Sequence, residues 1–474
     1  MALTKVKNSV TSFTQDGTGA VERGMEDKLR EVVSVKDFGA DPANTAEQNT
    51  TAFQAAVDSG AKHILIPAGV YLINSIDVSN SRGLTIEGEG HGELGQTDGT
   101  AYLKLASNVS MFVIAGDNVS VTRIGITFKH IHFDGDASNL AGGTCFDISQ
   151  LARRIYIQYC YVAAFRDYGL KAVNVGGIFI HQTDIFNCGV NIYGDTMADS
   201  GVTGGQTGSG AGLGAPWITE NIHLTGFSGN TNFIEHRPNF GYKRGVRISG
   251  NVTRVSFIGG YCDQNLEGGF LLEDNCTAIN IIGMQIFDNG TTAAKKPAIQ
   301  ITTTQIGAGF QKNGGIQIIG NSIFDRETGT ASERQDIGID MSTLSMTNAA
   351  KITIANNNFN GQSVPISTLT GVAASKANIN NNVGIKTQLS GTVSGVAIGS
   401  TGVKAGTIDV SALTDSLHTD SRVLLTLSNP TNTDFVATVM AIRSTLTTFD
   451  YRLNVITASS NAAATVSLDW YVIN

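Results

Sequence analysis

From about residue 84 to residue 384 the sequence repeats one pattern. In each unit apolar and polar residues alternate, a glycine or polar residue breaks the alternation, and an aromatic residue follows with Asp or Asn after it. Alternation with a period of two is typical of β-strands, and recurrence every roughly 21–37 residues indicates stacked coils. No unit can bury its apolar face alone, so the array is expected to fold as one body. The clearest units are residues 123–135, 154–167, 177–189, 254–265, 278–290, 315–327 and 351–361.

This repeat predicts a parallel β-helix, an all-β solenoid in which each coil contributes strands to long parallel sheets. One aromatic side chain of each unit is then expected to stack inside the helix. The Asp or Asn that follows is expected at a turn, where its side chain can bond backbone groups. The predicted internal aromatic ladder consists of Phe133, Phe165, Phe186, Phe287, Phe324 and Phe359.

Two different segments flank the repeat. The first begins with a polar lead and ends in a short helical stretch, in which Met25, Leu29 and Val32 share one face. So short a helix is marginal alone and needs partners, for instance its own symmetry mates. After the repeat, a Gly/Ser/Thr-rich link leads to alternating strands that predict a small β-sandwich, and oligomerisation is a common remedy for its limited burial. The predicted domains are residues 1–32, 33–390 and 391–474.

Composition excludes several classes of protein. The net charge of −8 gives the chain no reason to bind nucleic acid or an anionic membrane. No apolar run approaches the ~18–20 residues of a membrane span, and the N-terminus lacks the apolar core of a secretory signal, so we expect no membrane insertion. The five cysteines are widely spaced and show no zinc-binding pattern. We therefore expect buried, reduced thiols, no metal and no cofactor.

The most specific motifs lie at the start of the chain. Residues 21–40 read VERGMEDKLREVVSVKDFGA, and residues 51–73 read TAFQAAVDSGAKHILIPAGVYLI. Together they resemble the opening of phage tailspike depolymerases of the pectate-lyase-like superfamily, in which a neck helix leads into the first coil. The resemblance implies a right-handed β-helix, a parallel homotrimer, a C-terminal trimer cap, and endo-acting cleavage of a bacterial capsule or O-antigen.

The chain departs from this family in one respect. Many such spikes begin with a sizeable virion-attachment domain, whereas only about 20 residues precede the neck here. Two explanations stay open: the short peptide joins the phage tail or an adaptor protein, or a head domain has been removed. The resemblance implies folding in the host cytoplasm, a place on the virion tail, and action at the bacterial surface.

Functional residues of a solenoid are expected on outward strand positions and on insertions rather than in the regular rungs. Two segments are predicted insertions. The first, residues 194–217, is glycine-rich and is predicted to border a groove, with Trp217 at its end and His223 shortly after it. The second, residues 233–245, is unusually dense in charged side chains.

The second predicted insertion provides most of the candidate residues. Aligning it with other units places Glu235 inward, where an unpaired carboxylate would be costly. We therefore expect Glu235 to pair with Arg237 or to lie on a bulge that turns it into the groove. The candidate catalytic residues are Glu235, Glu267, Asp263, His236 and Tyr242, and the candidate substrate-binding residues are Arg237, Lys243, Arg244, His223 and Trp217.

Glycoside hydrolysis is the mechanism that we favour from the sequence. It requires two carboxyl groups, ~5–5.5 Å apart for retention or ~6.5–9.5 Å apart for inversion. Glu235 with Glu267 or Asp263 would supply them from adjacent coils. Asp263 also shares the aromatic-Asp pattern of Asp134, Asp288 and Asp325, which fits a turn position, whereas Glu267 breaks the pattern.

Alternative mechanisms and functions stay open. β-Elimination from a uronate requires cations against the sugar carboxylate and a base at C5, for which His236 or Tyr242 with Arg237 and Lys243 would serve. A non-catalytic polysaccharide adhesin on the same scaffold is a second class. A secreted pectinase-type enzyme is a third, disfavoured by the N-terminal sequence.

Overall fold

The structure is a computed structural model in which two compact units are distinguished by their contacts, Met1–Ser367 with Ser375–Val383 and Thr368–Ala374 with Gly384–Asn474. It describes residues 12–90, 99–117, 122–209, 217–274, 276–302, 315–326, 334–342, 352–362, 364–367, 377–383, 390–397, 402–409, 422–428, 436–443, 448–457 and 465–473.

The first unit contains three long ladders of parallel strands, which we call sheets 1, 2 and 3. Each coil runs through sheet 1, then sheet 3, then sheet 2, and strands of neighbouring coils pair in register, as Thr127 does with Tyr156 and Tyr156 with Phe179. The predicted all-β parallel β-helix is therefore confirmed.

In chain order, sheet 1 contains Val33–Ser34, His63–Ile66, Thr85–Gly88, Thr122–Lys129, Ala152–Gln158, the second half of Tyr168–His181, Gly201–Thr203, Gly229–Ile234, Thr253–Ile258, Thr277–Ile282, Ile316–Ile319, Ile352–Ala355 and Ala377–Asn380. Sheet 2 contains Ile76–Asp77, Ser110–Ala115, Thr144–Ser149, the first half of Tyr168–His181, Val190–Ala198, Ile222–Thr225, Arg244–Ile248, Gly268–Leu272, Ile299–Ile301, Ile337–Asp340 and Val364–Ile366. Sheet 3 contains Gly69–Ile73, Ala101–Leu105, His132–Asp134, Tyr161–Ala163, Asp184–Phe186, Gln206–Gly208, Arg237–Asn239, Tyr261–Asp263, Gln285–Phe287, Ser322–Phe324 and Asn358–Asn360.

The three corners of the helix differ in the length of chain they carry. Between Thr122 and Asn360, every turn from sheet 1 to sheet 3 has two residues. The connections on both edges of sheet 2 are much longer in several coils. They are residues 135–143, 209–221, 288–298 and 325–336 before sheet 2, and residues 302–315 and 341–351 after it. Sheet 2 is therefore the face flanked by the longest connections in sequence, where functional residues are expected, and we refer to its outward face as the groove.

Asparagine side chains form a ladder inside the helix. Asn191 Nδ2 donates to Asn221 Oδ1 at 2.9 Å, Asn221 to Asn265 at 3.0 Å, and Asn265 to Asn289 at 2.9 Å. Asn289 in turn donates to Gln335 Oε1 at 3.0 Å. Because each amide both donates and accepts, the ladder satisfies buried polar groups coil by coil.

The predicted internal ladder of phenylalanines is only partly correct. Phe133 and Phe165 are fully buried and Phe359 nearly so. The other three occupy the third position of their sheet 3 strands and face outward, namely Phe186, Phe287 and Phe324. The rings of Phe287 and Phe324 stack there with their centroids 4.7 Å apart. A shift of one position along a strand moves a side chain to the other face, so units that look alike in sequence place their aromatic residues differently.

Short elements precede the β-helix. The strands Ser12–Thr14 and Glu22–Gly24 pair antiparallel and lead to the helix Met25–Leu29, followed by a 3-10 helix, Val35–Phe38. The helix Ala46–Asp58 packs beside the first coils. Thr45 caps its N-terminus, because the Thr45 side chain accepts a hydrogen bond from the backbone of Gln48.

The second unit is built from antiparallel strands. One three-stranded sheet contains Ser390–Ala397, Arg422–Ser428 and Thr465–Ile473, and the other contains Gly402–Asp409, Val436–Arg443 and Thr448–Thr457. The domain limits drawn from the sequence remain predictions. All five cysteines are buried and unpaired, as expected. Within the described residues, no helix combines the length and apolarity needed to cross a membrane.

Candidate functional site

The outward face of sheet 2 carries a line of mostly polar side chains. They occupy the same strand position in consecutive coils, and strands in register lie ~4.8 Å apart. The groove floor therefore presents them in one continuous row. The row consists of Tyr193, His223, Arg247, Leu271, Gln300 and Asp340.

Arg247 is the centre of this row. Its Nε lies 2.7 Å from Glu273 Oε1, and its Nη1 lies 3.5 Å from Glu220 Oε1. Glu220 precedes the sheet 2 strand of the coil before, and Glu273 follows the sheet 2 strand of the coil after. Two carboxylates thus approach one guanidinium from neighbouring coils, and charge-assisted hydrogen bonds hold all three groups.

His223 lies beside this cluster. Its Nε2 is 3.1 Å from Ser249 Oγ, and its ring makes an edge contact with Tyr193 at 5.4 Å between centroids. Burial, and then the positive charge of Arg247, lower the pKa of His223 below its usual value. The imidazole is therefore neutral at pH 7 and able to accept a proton.

Arg244 extends the site toward later coils. Its Nη2 donates to Gln300 Oε1 at 2.9 Å, and Gln300 Nε2 donates to Asp340 Oδ2 at 3.4 Å. Gly268 makes room for the guanidinium, since a Cβ there would lie 2.6 Å from Arg244 Nη1. Glu267, the neighbour of Gly268, is exposed at the same edge of sheet 2. The structure therefore brings the predicted residues Arg244, Glu267 and His223 to one face.

Trp217 and Lys243 lie in the connections that enter sheet 2. The guanidinium of Arg166 stacks on the Trp217 ring at 3.8 Å, a cation–π contact that fixes the indole. The Lys243 backbone N–H donates to Thr219 O, and its carbonyl accepts from Glu267 N at 2.8 Å. These contacts hold the Trp217 ring and the Lys243 backbone beside the starts of sheet 2 strands.

Residues 233–245 are a regular coil and not an insertion, which corrects the prediction. They span the end of the strand Gly229–Ile234, the strand Arg237–Asn239 and the start of Arg244–Ile248, and they pair with the next coil. Side chains that are close in sequence are consequently spread over three faces of the helix.

Glu235 does not point inward. It is exposed and occupies the left-handed turn between sheets 1 and 3, with φ 57°, where the next coil has Gly259. The sequence alignment that predicted an inward Glu235 compared a sheet 1 strand with sheet 2 strands, and the turns that follow these two kinds of strand fall at different positions. Glu235 and Glu267 lie at opposite edges of sheet 3, so they cannot face one glycosidic bond.

His236, a predicted catalytic residue, lies in the core of the helix. It is 2% exposed, and its Nδ1 and Nε2 lie 2.8 Å from Gly204 O and 3.2 Å from Thr207 Oγ1. Burial lowers its pKa to about 4, so it remains neutral inside the helix. Arg237 is exposed on sheet 3, over the ring of Tyr261 at 5.0 Å, and is remote from sheet 2. Tyr242 is half-buried in the turn that leads to sheet 2.

Asp263 lies on sheet 3, away from the groove. Only 4% of it is exposed, and Gln264 Nε2 donates to its Oδ2 at 3.1 Å. Burial raises the pKa of Asp263 to about 6. Asp134 occupies the same strand position, but Asp288 and Asp325 follow their strands by one residue, so the predicted common column is wrong for those two.

The first predicted insertion is also mostly regular. Residues 194–208 belong to the strands Val190–Ala198, Gly201–Thr203 and Gln206–Gly208 and their turns. Residues 210–216 lie outside the described residues. Across the described part of the chain, no group of three or more His, Cys, Asp or Glu side chains could hold a metal ion.

Sequence reasoning missed Glu220 and Arg247, and it considered Glu273 beside Glu267 without selecting it. Glu220 stands among uncharged residues, and neither Arg247 nor Glu273 belongs to a recognisable motif. The available signal was the spacing of 24 residues from His223 to Arg247 and from Arg247 to Leu271, which is one coil.

No protein-family model matches the sequence, and no curated protein matches it either. Among solved structures, a mutant tailspike protein of E. coli bacteriophage HK620 in complex with a pentasaccharide is similar, with a TM-score of 0.55, 12% identity, and coverage of 98% of this chain and 97% of that chain. Full-length tailspike protein 2 of the Escherichia coli O157:H7 bacteriophage CAB120 has a TM-score of 0.54 and 13% identity, with coverage of 99% of this chain and 69% of that chain. The A-module of the Azotobacter vinelandii mannuronan C-5 epimerase AlgE6 has a TM-score of 0.53 and 14% identity, with coverage of 74% of this chain and 98% of that chain.

At these identities the likeness concerns the fold. The chain has a parallel β-helix fold, which it shares with these two phage tailspikes and the epimerase module.

Proposed function

We propose that the chain is a phage tailspike that binds a bacterial capsule or O-antigen in the groove over sheet 2 and cleaves it endo-wise. The observation that carries this proposal is the cluster of Glu220, Arg247 and Glu273, with His223 beside it, on the face bordered by long connections. A polysaccharide requires an open, elongated groove of this kind. The opening motifs and the likeness to a tailspike that holds a pentasaccharide support the same assignment.

Hydrolysis is the mechanism that we favour, with Glu220 and Glu273 as its two carboxyl groups. One donates a proton to the leaving oxygen, and the other attacks the anomeric carbon or activates a water molecule. Both carboxylates contact the Arg247 guanidinium, at 2.7 and 3.5 Å, which holds them close enough to act on one glycosidic bond. Arg247 orients both groups, and the exposed Glu267 adds negative charge at the same edge.

β-Elimination is the second candidate, supported by the lowered pKa of His223. A neutral imidazole can remove the C5 proton of a uronate, while Arg244 and Arg247 offset the charge that develops on the sugar carboxylate. Both arginines lie on sheet 2 within one coil of His223.

Incubation with a panel of purified capsular polysaccharides and O-antigens tests the proposal. We expect the chain length of one polysaccharide to fall, measured by size-exclusion chromatography. New reducing ends without ultraviolet absorbance identify hydrolysis, and absorbance from an unsaturated uronate identifies elimination. Binding without any fall in chain length would instead favour a non-catalytic adhesin.

We also propose a homotrimer that joins the phage tail or an adaptor protein through its N-terminal segment. Leu29 and Val32 are exposed beside the short neck helix, at 60% and 45%. On sheet 1, Ile258, Ile282 and Ile319 face outward in successive coils. In these three strands the outward residues in register with Ser256 and with Ile258 are uncharged, so copies that each carry −8 can approach there. A molar mass of three chains by light scattering is expected.

A further inference from the structure

The outward face of sheet 1 is interrupted at one coil. Phe179, Gly201 and Asn232 occupy the same strand position in three successive coils. Gly201 contributes no side chain, and a Cβ placed there would meet only Phe179 Cδ1, at 3.6 Å. No side chain stands between Phe179 and Asn232 at this position, which leaves a gap that we call the sheet 1 slot.

An aromatic ring forms the first wall of the sheet 1 slot. Phe179 is 39% exposed and stacks on Tyr156 in the preceding coil, with centroids 5.3 Å apart and planes 20° apart. Tyr156 thus supports one face of the Phe179 ring, and the other face lies over Gly201. His181, two residues on, is held by Tyr159, whose hydroxyl lies 3.2 Å from His181 Nε2.

Polar groups form the floor and the second wall. Thr203 lies in register between His181 and Ile234, and Asn232 lies opposite Phe179 across Gly201. Thr203 and Asn232 are exposed, and in the described part of the chain their side chains make no hydrogen bond. Gln182 closes the slot toward the turn, since its side chain lies over Gly204.

We infer that the sheet 1 slot binds one pyranose residue of a bacterial surface polysaccharide. The apolar face of a pyranose ring packs well on an aromatic ring. Neighbouring coils lie ~4.8 Å apart, so the space that the missing side chain leaves suits one sugar ring. Thr203, Asn232 and His181 supply the few polar groups that such a site uses to fix orientation. The ligand class rests on the proposed function, but the slot is separate from the groove over sheet 2 and ends one coil before the proposed trimer contact that begins at Ile258.

A long polysaccharide would then contact the spike at two places. Binding at the second place lengthens the residence of the polymer on the virion without taking part in the cleavage step. Short oligosaccharides that occupy only the groove gain nothing from the slot. Occupation of this face by another copy of the chain is the competing explanation, and affinity measured together with molar mass separates the two.

Two substitutions address the slot. Gly201→Tyr fills it with a ring that can stack on Phe179, and Gly201 does not adopt a left-handed conformation that would strain a side chain. Phe179→Ala removes the aromatic wall. The matched control is Gln285→Tyr, which adds the same ring at an exposed outward position of sheet 3.

The probe is an array of purified bacterial capsular polysaccharides and O-antigens, and the affinity for the best-bound polymer is then measured by biolayer interferometry. All variants carry Glu273→Gln, so that cleavage does not consume the ligand. We expect Gly201→Tyr and Phe179→Ala each to weaken binding about tenfold, while Gln285→Tyr has no effect. Cleavage of short oligosaccharides by the same variants with Glu273 restored should be unchanged.

Equal affinity of all three variants, or a protein that binds no polymer of the array, overturns the inference. A change in molar mass for Gly201→Tyr without a change in affinity also overturns it, because the slot is then a contact between copies. Loss of cleavage alone leaves the affinity result intact, so failure of the proposed function is distinguishable from failure of the slot.

Discussion

Asn239 and Asp263 are paired in register on sheet 3, and each has a buried side-chain oxygen that meets no hydrogen-bond donor among the described residues. An acceptor buried without a donor is costly, and for Asp263 a proton on the carboxyl group reduces that cost. Asp288 adds negative charge nearby, and Arg326 opposes it. Protonation of Asp263 is therefore coupled to folding.

Stability should depend on pH through Asp263. Burial raises the pKa of Asp263 to about 6 in the folded chain, above the ~3.9 of an unfolded aspartate. A raised folded pKa favours folding below pH ~4, and this contribution is lost as the pH rises through about 6. Asp263→Asn should therefore raise the free energy of unfolding at pH 8 by on the order of 1–3 kcal/mol, and with it the melting temperature, and have little effect at pH 4. Thermal unfolding of wild type, Asp263→Asn and the exposed control Asp274→Asn at both pH values checks this, and an equal shift at both would contradict it.

Activity should depend on the two carboxylates that Arg247 joins. Glu220→Gln and Glu273→Gln keep the shape of each side chain but remove its charge and its capacity to transfer a proton. We expect each to lower kcat about 10²–10⁴-fold with little change in polysaccharide affinity. Initial rates of reducing-end formation provide the measurement. Glu47→Gln, on the helix Ala46–Asp58, is the matched control, and wild-type turnover in both groove variants would remove the pair from the mechanism.

The internal amide ladder should be sensitive to a single deletion. Asn221 receives a hydrogen bond from Asn191 and donates to Asn265 and to the carbonyl of Asn239. Asn221→Ala removes all three hydrogen bonds, although Asn191 Nδ2 keeps Gly208 O and Asn265 Oδ1 keeps the Gly241 N–H, so we expect a loss of about 2–4 kcal/mol of unfolding free energy. Chemical denaturation followed by circular dichroism measures the change. Asn360→Ala, at an exposed position, should be neutral, and equal effects of the two substitutions would be inconsistent with a structural ladder.

Assembly should depend on the apolar positions of sheet 1. Ile258 is 40% exposed and Ile282 follows it in the next coil. Replacing either with Glu puts three negative charges close together at the proposed trimer contact, which costs several kcal/mol when the charges are desolvated. Ile258→Glu should therefore lower the molar mass measured by light scattering. Leu266→Glu, at an exposed turn between sheets 3 and 2, should not, and an unchanged mass for Ile258→Glu would exclude this face.

The fold could be predicted from the sequence because the constraint is local and repeated. Alternating residues with breaks at regular intervals define strands and turns in every coil, and no distant contact is required to recognise them. The buried cysteines follow from their spacing and chemistry in the same way. The direction of each aromatic side chain could not be predicted in the same way. Phe133 is the second residue of its strand and faces inward, whereas Phe287 is the third residue of its strand and faces outward.

The site depended on information that is absent from local sequence. The charges of residues 233–245 are adjacent in the chain, but they are distributed over three faces, so Glu235, His236 and Arg244 have three different environments. Glu220, Arg247 and Glu273 are 27 and 26 residues apart, and only the stacking of coils brings them together. In a solenoid the sequence by itself determines the repeating strand pattern, because that pattern depends on neighbouring residues. Which side chains meet is decided by the coil length and register of the tertiary structure, because residues one coil apart become spatial neighbours.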